Sequence, residues 1–226
     1  MACPCEAARC VPIQAAVDVV LTSSRLRRGR IILLVGLALL TVSCGSTERT
    51  ADADTPAAPG IALVDLDDAN EVAAWTTVND PVMGGMSTSR VTFGDGGLVF
   101  SGNVSLENNG GFASARSPLN PEIGRRATGA KSLRVRALGD GKTYLLKVGT
   151  QGQPWSYVQR FPTQAAEQRI YDLPIEGFEP VGMRLDPAPS APQNLDPSTI
   201  DQVAVYILDE QQGPFELSVS GIDATA

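Results

Sequence analysis

The sequence predicts an all-β fold, a β-sandwich of jelly-roll type, and three observations predict it. Short apolar runs alternate with period two, Gly, Pro, Asn and Asp punctuate the gaps between them, and helical periodicity is almost absent. About ten such runs follow residue 60, the number that two packed antiparallel sheets use. With 43% hydrophobic residues the chain can fill one core of ordinary size.

In chain order, Ile61–Leu66 reads as an opening strand. Asp68 is placed to cap a helical turn over 71–75. Thr76–Val78 is β-branched and stops at Asn79-Asp80-Pro81. Strands are expected at Ser87–Phe93 and Leu98–Leu106; in the second, Leu98, Phe100, Val104 and Leu106 share one face, with a bend or bulge at Gly102. Asn108-Asn109-Gly110-Gly111 supplies residues that accept positive φ, so a tight hairpin to Phe112–Ser117 is expected.

A loop at Pro118–Pro121 leads to alternating strands at Leu133–Arg136, Tyr144–Val148, Trp155–Phe161 and Gln168–Leu173. Five prolines mark a long loop from Pro180 to Pro197. Val203–Leu208 is apolar on both faces and reads as a central strand. Phe215, Leu217 and Val219 alternate in the closing strand.

The first 60 residues differ in kind. Arg25, Arg27, Arg28 and Arg30 precede the apolar run Ile31–Leu40, which is too short to span a bilayer and reads as a secretory signal. Leu40-Thr41-Val42-Ser43-Cys44 resembles a bacterial lipobox, so Cys44 is the expected lipidation site and mature N-terminus. Residues 1–43 are read as leader and signal, with translation expected to begin near Val19–Leu21. Residues 44–60 read as a flexible tether and 61–226 as the domain. The expected location is extracytoplasmic, held at a cell or outer membrane by the lipid.

Composition narrows the chemistry. The chain has no histidine, which removes imidazole triads and His-ligated metal sites. All four cysteines precede residue 61, so the domain holds no internal disulfide. Residues 44–226 carry 13 Lys and Arg against 23 Asp and Glu, a net charge of −10 that suits no nucleic acid partner.

Two segments carry dense turn chemistry: Trp75–Ser87 (W-T-T-V-N-D-P-V-M-G-G-M-S) and Val104–Arg116 (V-S-L-E-N-N-G-G-F-A-S-A-R). With Val203–Leu217 (V-A-V-Y-I-L-D-E-Q-Q-G-P-F-E-L) they make the chain similar to the complex I intermediate-associated protein 30 family over about residues 62–223. The resemblance implies a galactose-binding-like jelly roll and a non-enzymatic part in assembling the membrane arm of NADH:ubiquinone oxidoreductase. Pro81 and Met86 depart from the family's usual residues. An exported chain would also face the opposite side of the membrane from that assembly site, so a different protein complex of membrane or envelope is the expected partner.

The candidate contact surface follows from the same segments. In the first, Trp75, Asn79, Asp80, Gly84, Gly85 and Ser87 carry the signature. In the second, Glu107, Asn108, Asn109, Gly110, Gly111, Phe112 and Arg116 do. Asn79, Asp80, Glu107, Asn108 and Asn109 could gather oxygen ligands for Ca²⁺, but Asn and Asp more commonly satisfy their own turns. No metal or cofactor is therefore expected. Asp80 with Glu107 as a glycosidase pair has no supporting motif. Trp155, Tyr157 and Phe161 share one strand face; burial is the expectation, and an exposed glycan-binding platform the alternative. Arg116 and Arg160 are expected to form salt bridges on the strand face, and Gly84-Gly85 a turn rather than an anion nest.

Overall fold

A computed structural model describes residues 59–226; the leader, Cys44 and the tether through residue 58 lie outside them. The strands begin with β1 (Ile61–Ala62), β2 (Thr76–Asn79), β3 (Thr88–Gly94), β4 (Gly97–Val104), β5 (Ala113–Arg116) and β6 (Ser132–Leu138). They continue with β7 (Thr143–Thr150), β8 (Ser156–Pro162), β9 (Gln168–Pro174), β10 (Glu179–Val181), β11 (Ile200–Ile207) and β12 (Gly213–Thr225).

All ladders between these strands are antiparallel. The first sheet runs β3-β4-β12-β6-β9, with β1 beside the far end of β12; the second runs β10-β8-β7-β11-β5-β2. The chain passes repeatedly from one sheet to the other, the mark of a jelly-roll sandwich. Between the sheets Phe100 and Phe215 meet with ring centroids 4.8 Å apart, among Leu98, Leu217, Val203, Val205 and Ile207.

Two short helices close the ends. α1 (Ala69–Ala73) starts where Asp68 accepts a hydrogen bond from the Asn70 N–H at 2.7 Å, the expected cap. α2 (Glu122–Ala127) was hidden in the sequence by its flanking prolines and glycine. It buries Ile123, Gly124 and Ala127, and a Cβ at Gly124 would lie 2.2 Å from the Ser198 carbonyl oxygen.

The second sheet is covered on both faces. Val203, Val205 and Ile207 point into the main core, whereas Ala204 and Tyr206 join Leu145, Val158 and Val181 in a separate cluster outside. Phe112, Leu185 and Leu208 pack against that cluster. This double burial is why β11 shows no alternation, and β11 is central as its composition predicted.

Three expectations are corrected. Asn108–Gly111 does not close a hairpin: β4 lies in the first sheet and β5 in the second, so the segment carries the chain across the sandwich. Asn108 and Asn109 do adopt positive φ, at 54° and 58°, but such residues serve a crossover as readily as a hairpin. Gly102 is no bulge, since both its ladders pass through in register. It permits close approach instead, a Cβ there falling 2.0 Å from the Thr88 carbonyl oxygen. The ladder irregularities lie in β12 between Val219 and Gly221 and in β11 between Ile200 and Gln202. Finally, the opening strand shrinks to two residues, because Leu63 and Leu66 turn into the core.

Candidate functional site

The two signature segments meet at one carboxylate. Asp80 opens a single 3-10 turn (Asp80–Met83) and is fully buried, sealed by the surrounding turn backbone. Its Oδ1 accepts from the Ser87 N–H at 2.8 Å. Its Oδ2 accepts from the Ser87 hydroxyl at 2.5 Å, the Gly111 N–H at 2.6 Å and the Phe112 N–H at 3.2 Å. The Ser105 N–H donates to Ser87 Oγ at 2.9 Å, extending the tie to the end of β4.

This tie explains the glycines. A Cβ at Gly85 would sit 2.4 Å from the Asp80 carboxylate, and one at Gly110 would sit 2.7 Å from it. Gly84 has φ 95°, a conformation that disfavours any side chain. The Asn79 side-chain amide lies 2.7 Å from the Ser89 hydroxyl and pins β2 to β3.

Burial pushes the Asp80 carboxyl up, but the Ser87 hydroxyl and the N–H groups of Gly111, Ser87 and Phe112 outweigh it. Its pKa therefore lies below the ordinary carboxylate value. A depressed folded-state pKa stabilises the fold above the unfolded value of about 3.9, and that stability is lost as pH falls through the folded value. The melting-temperature gap between wild type and Asp80→Asn should be full at neutral pH and close below about pH 4. A gap that stays constant through acid would show that the charge contributes nothing.

With four donors aimed at it, Asp80 has no orientation left for a cation, and the metal reading finds no support at this turn. Glu107, Asn108 and Asn109 are exposed on the crossover. Asp80 and Glu107 therefore share no cleft, which removes the paired-carboxylate geometry. Trp75 and Ser87 are buried too, so these residues shape the end of the sandwich from inside rather than present it to a partner.

Beside this tie, the outer face of the second sheet hollows into a cleft of about 760 Å³. Its floor follows from strand register. Ala204 is paired with Arg116 of β5 on one side and with Lys147 of β7 on the other. Two residues on, Tyr206 is paired with Ser114 and Leu145, and Leu145 with Arg160. The small Ala204 leaves room, and Arg116 and Lys147 both stand over the Tyr206 ring, 5.4 and 5.7 Å from its centroid.

Arg160 forms the expected salt bridge, donating to both oxygens of Asp209 at 2.7 and 2.9 Å. Arg116 corrects the other half of that expectation. Its Nε donates to Ser114 Oγ at 3.3 Å, and no described carboxylate pairs with it. Burial, and then the Arg116 charge, hold the Lys147 ammonium below its ordinary pKa. The rim is apolar: Val82, Met83 and Met183 line the mouth and are 71%, 60% and 87% exposed.

Sequence reasoning reached Gly110, Gly111, Phe112, Arg116 and Arg160 of this cleft but missed Lys147, Met183, Arg184 and Tyr206. One signal was present: Lys147 is the only charge in Tyr144–Gly149, on the face opposite Leu146 and Val148. The glycan platform fares worse. Tyr157 and Phe161 are buried as expected, Trp155 packs against the core, and the Tyr157 hydroxyl donates to the Pro192 carbonyl at 2.9 Å.

A family model described as Complex I intermediate-associated protein 30 matches residues 64–219. A search of curated proteins finds no match. Among solved structures, the family 11 carbohydrate-binding module of a Clostridium thermocellum cellulosomal cellulase is 13% identical, with a TM-score of 0.49. That match covers 72% of this chain and 94% of the module. An agarase is 11% identical at a TM-score of 0.49, over 74% of this chain and 25% of the enzyme.

Proposed function

This chain belongs to the complex I intermediate-associated protein 30 family, and we propose that it is a non-catalytic, lipid-anchored module that assembles or stabilises a membrane or envelope protein complex. The family match over residues 64–219 carries the reading. The site chemistry supports it: Asp80 is consumed by structure, the chain has no histidine, and the cleft offers cations and apolar contacts rather than a nucleophile with its base. In this reading Cys44 carries the lipid and the tether holds the domain above an extracytoplasmic membrane face.

A carbohydrate-binding module is the weaker alternative, since of the rings that would stack on a sugar Tyr157 is buried and Trp155 packs half-buried against the core. In cells, proximity crosslinking from the full chain should recover one recurrent set of membrane-complex subunits, and deleting the gene should lower the assembled complex. Recovery of no protein would remove the assembly role. Cys44→Ala should move the chain from the membrane to the soluble fraction; continued membrane retention would remove the lipid anchor.

A further inference from the structure

We propose that the cleft on the outer face of the second sheet receives an acidic, apolar segment of the partner protein, its carboxylates held by Arg116 and Lys147. The proposal rests on the assembly reading above and names the partner's chemistry at that site.

Positive charge is concentrated in this cleft. Residues 59–226 carry 12 Lys and Arg against 20 Asp and Glu, yet Arg116, Lys147, Arg160 and Arg184 all line this one cleft. Only Asp209 and Glu210 oppose them there, and Asp209 is engaged by Arg160. Arg116 and Lys147 face each other across Ala204 with no described carboxylate on either. Two half-buried like charges repel, and neither the Tyr206 ring nor Ser114 Oγ cancels that repulsion. An incoming carboxylate would neutralise the pair, and the Arg116 guanidinium can grip it with two parallel N–H groups.

The rim decides between classes of ligand. Val82, Met83 and Met183 offer aliphatic and thioether surface, which adapts to Leu- or Val-like side chains. A sugar ring seeks an exposed aromatic face, but Tyr206 is only 3% exposed beneath its two cations. The volume lies within the range of roughly 300–1000 Å³ that takes a few side chains. An extended peptide alternating acidic and apolar residues would place carboxylates on the floor and apolar groups on the rim.

The test uses the full chain and a fluorescein-labelled hexapeptide alternating Glu and Leu, read by fluorescence anisotropy. The same hexapeptide with Gln for Glu should bind about tenfold more weakly or worse, the scale of a lost charge-assisted contact. Raising NaCl to about 0.5 M should narrow that difference without removing it, because the half-buried pair is only partly screened. Arg116→Gln and Lys147→Met should each lose the preference, while Lys147→Arg keeps it and Arg116→Lys, which retains the charge without the two-pronged grip, keeps part of it, separating charge from folding. Equal binding of both peptides by the wild-type chain would overturn the proposal. So would binding of an oligogalacturonate with none of the Glu peptide, which would assign the cleft to an acidic glycan. If the peptides fail while crosslinking still recovers a protein complex, only the cleft assignment falls; if both fail, so does the assembly reading.

Discussion

Asp80→Asn should destabilise the folded domain by on the order of 3 kcal/mol, a fall in melting temperature of roughly 6–12 °C. The carboxylate accepts from four donors, three of them on Oδ2. An amide has only one acceptor oxygen. Its best orientation keeps that oxygen at the Oδ2 position and turns its NH₂ against the Ser87 N–H. One charged hydrogen bond is then lost, the other three weaken, and two donors confront each other without water. Asp80→Glu should not rescue, because the added methylene has to enter space already closed by Gly85 and Gly110. Thermal or urea melts of the three chains decide it; an Asn variant as stable as wild type would show that the tie holds nothing.

Gly85→Ala should cost nearly as much as losing the carboxylate, and the two losses should overlap. The new Cβ would meet Asp80 Oδ1 at 2.4 Å, its carboxyl carbon at 2.5 Å and its Cβ at 2.8 Å; nothing else is that near. The methyl group can fit only by expelling the Asp80 side chain from its donors. Once expelled, the carboxylate has no more to lose. In an Asp80→Ala background, Gly85→Ala should therefore cost at least about 1 kcal/mol less than it does in wild type. Melts of the four chains close the cycle, and strict additivity would mean that Gly85 matters for some reason other than Asp80.

Legibility in the sequence divided along the range of the interactions involved. The apolar continuity of Val203–Leu208 is written locally, and it placed a doubly buried strand at the centre of its sheet. Leu98 and Phe100 likewise announced the buried face of β4. The crossover at Asn108–Gly111 was not legible, because positive-φ residues permit a turn without saying which strand follows. That choice is made by Asp80, whose carboxylate binds the Gly111 and Phe112 N–H groups from far upstream. Both segments of the site were visible as unusual, but not as two halves of one tie. The cleft was less legible still. Lys147 and Tyr206 come from strands distant in sequence, and only the register through Ala204 brings Arg116 and Lys147 together.

The placement of β12 has a consequence for synthesis. It is the spine of the first sheet, joining β4 to β6 and flanking β1, yet its residues follow every strand it connects. As the chain emerges, β3 and β4 can pair, and so can β6 and β9, but the two halves have no ladder between them. The sandwich cannot close on a partly made chain; it waits for Gly213–Thr225. Such an architecture withholds the finished core until translation has passed the segment that completes it.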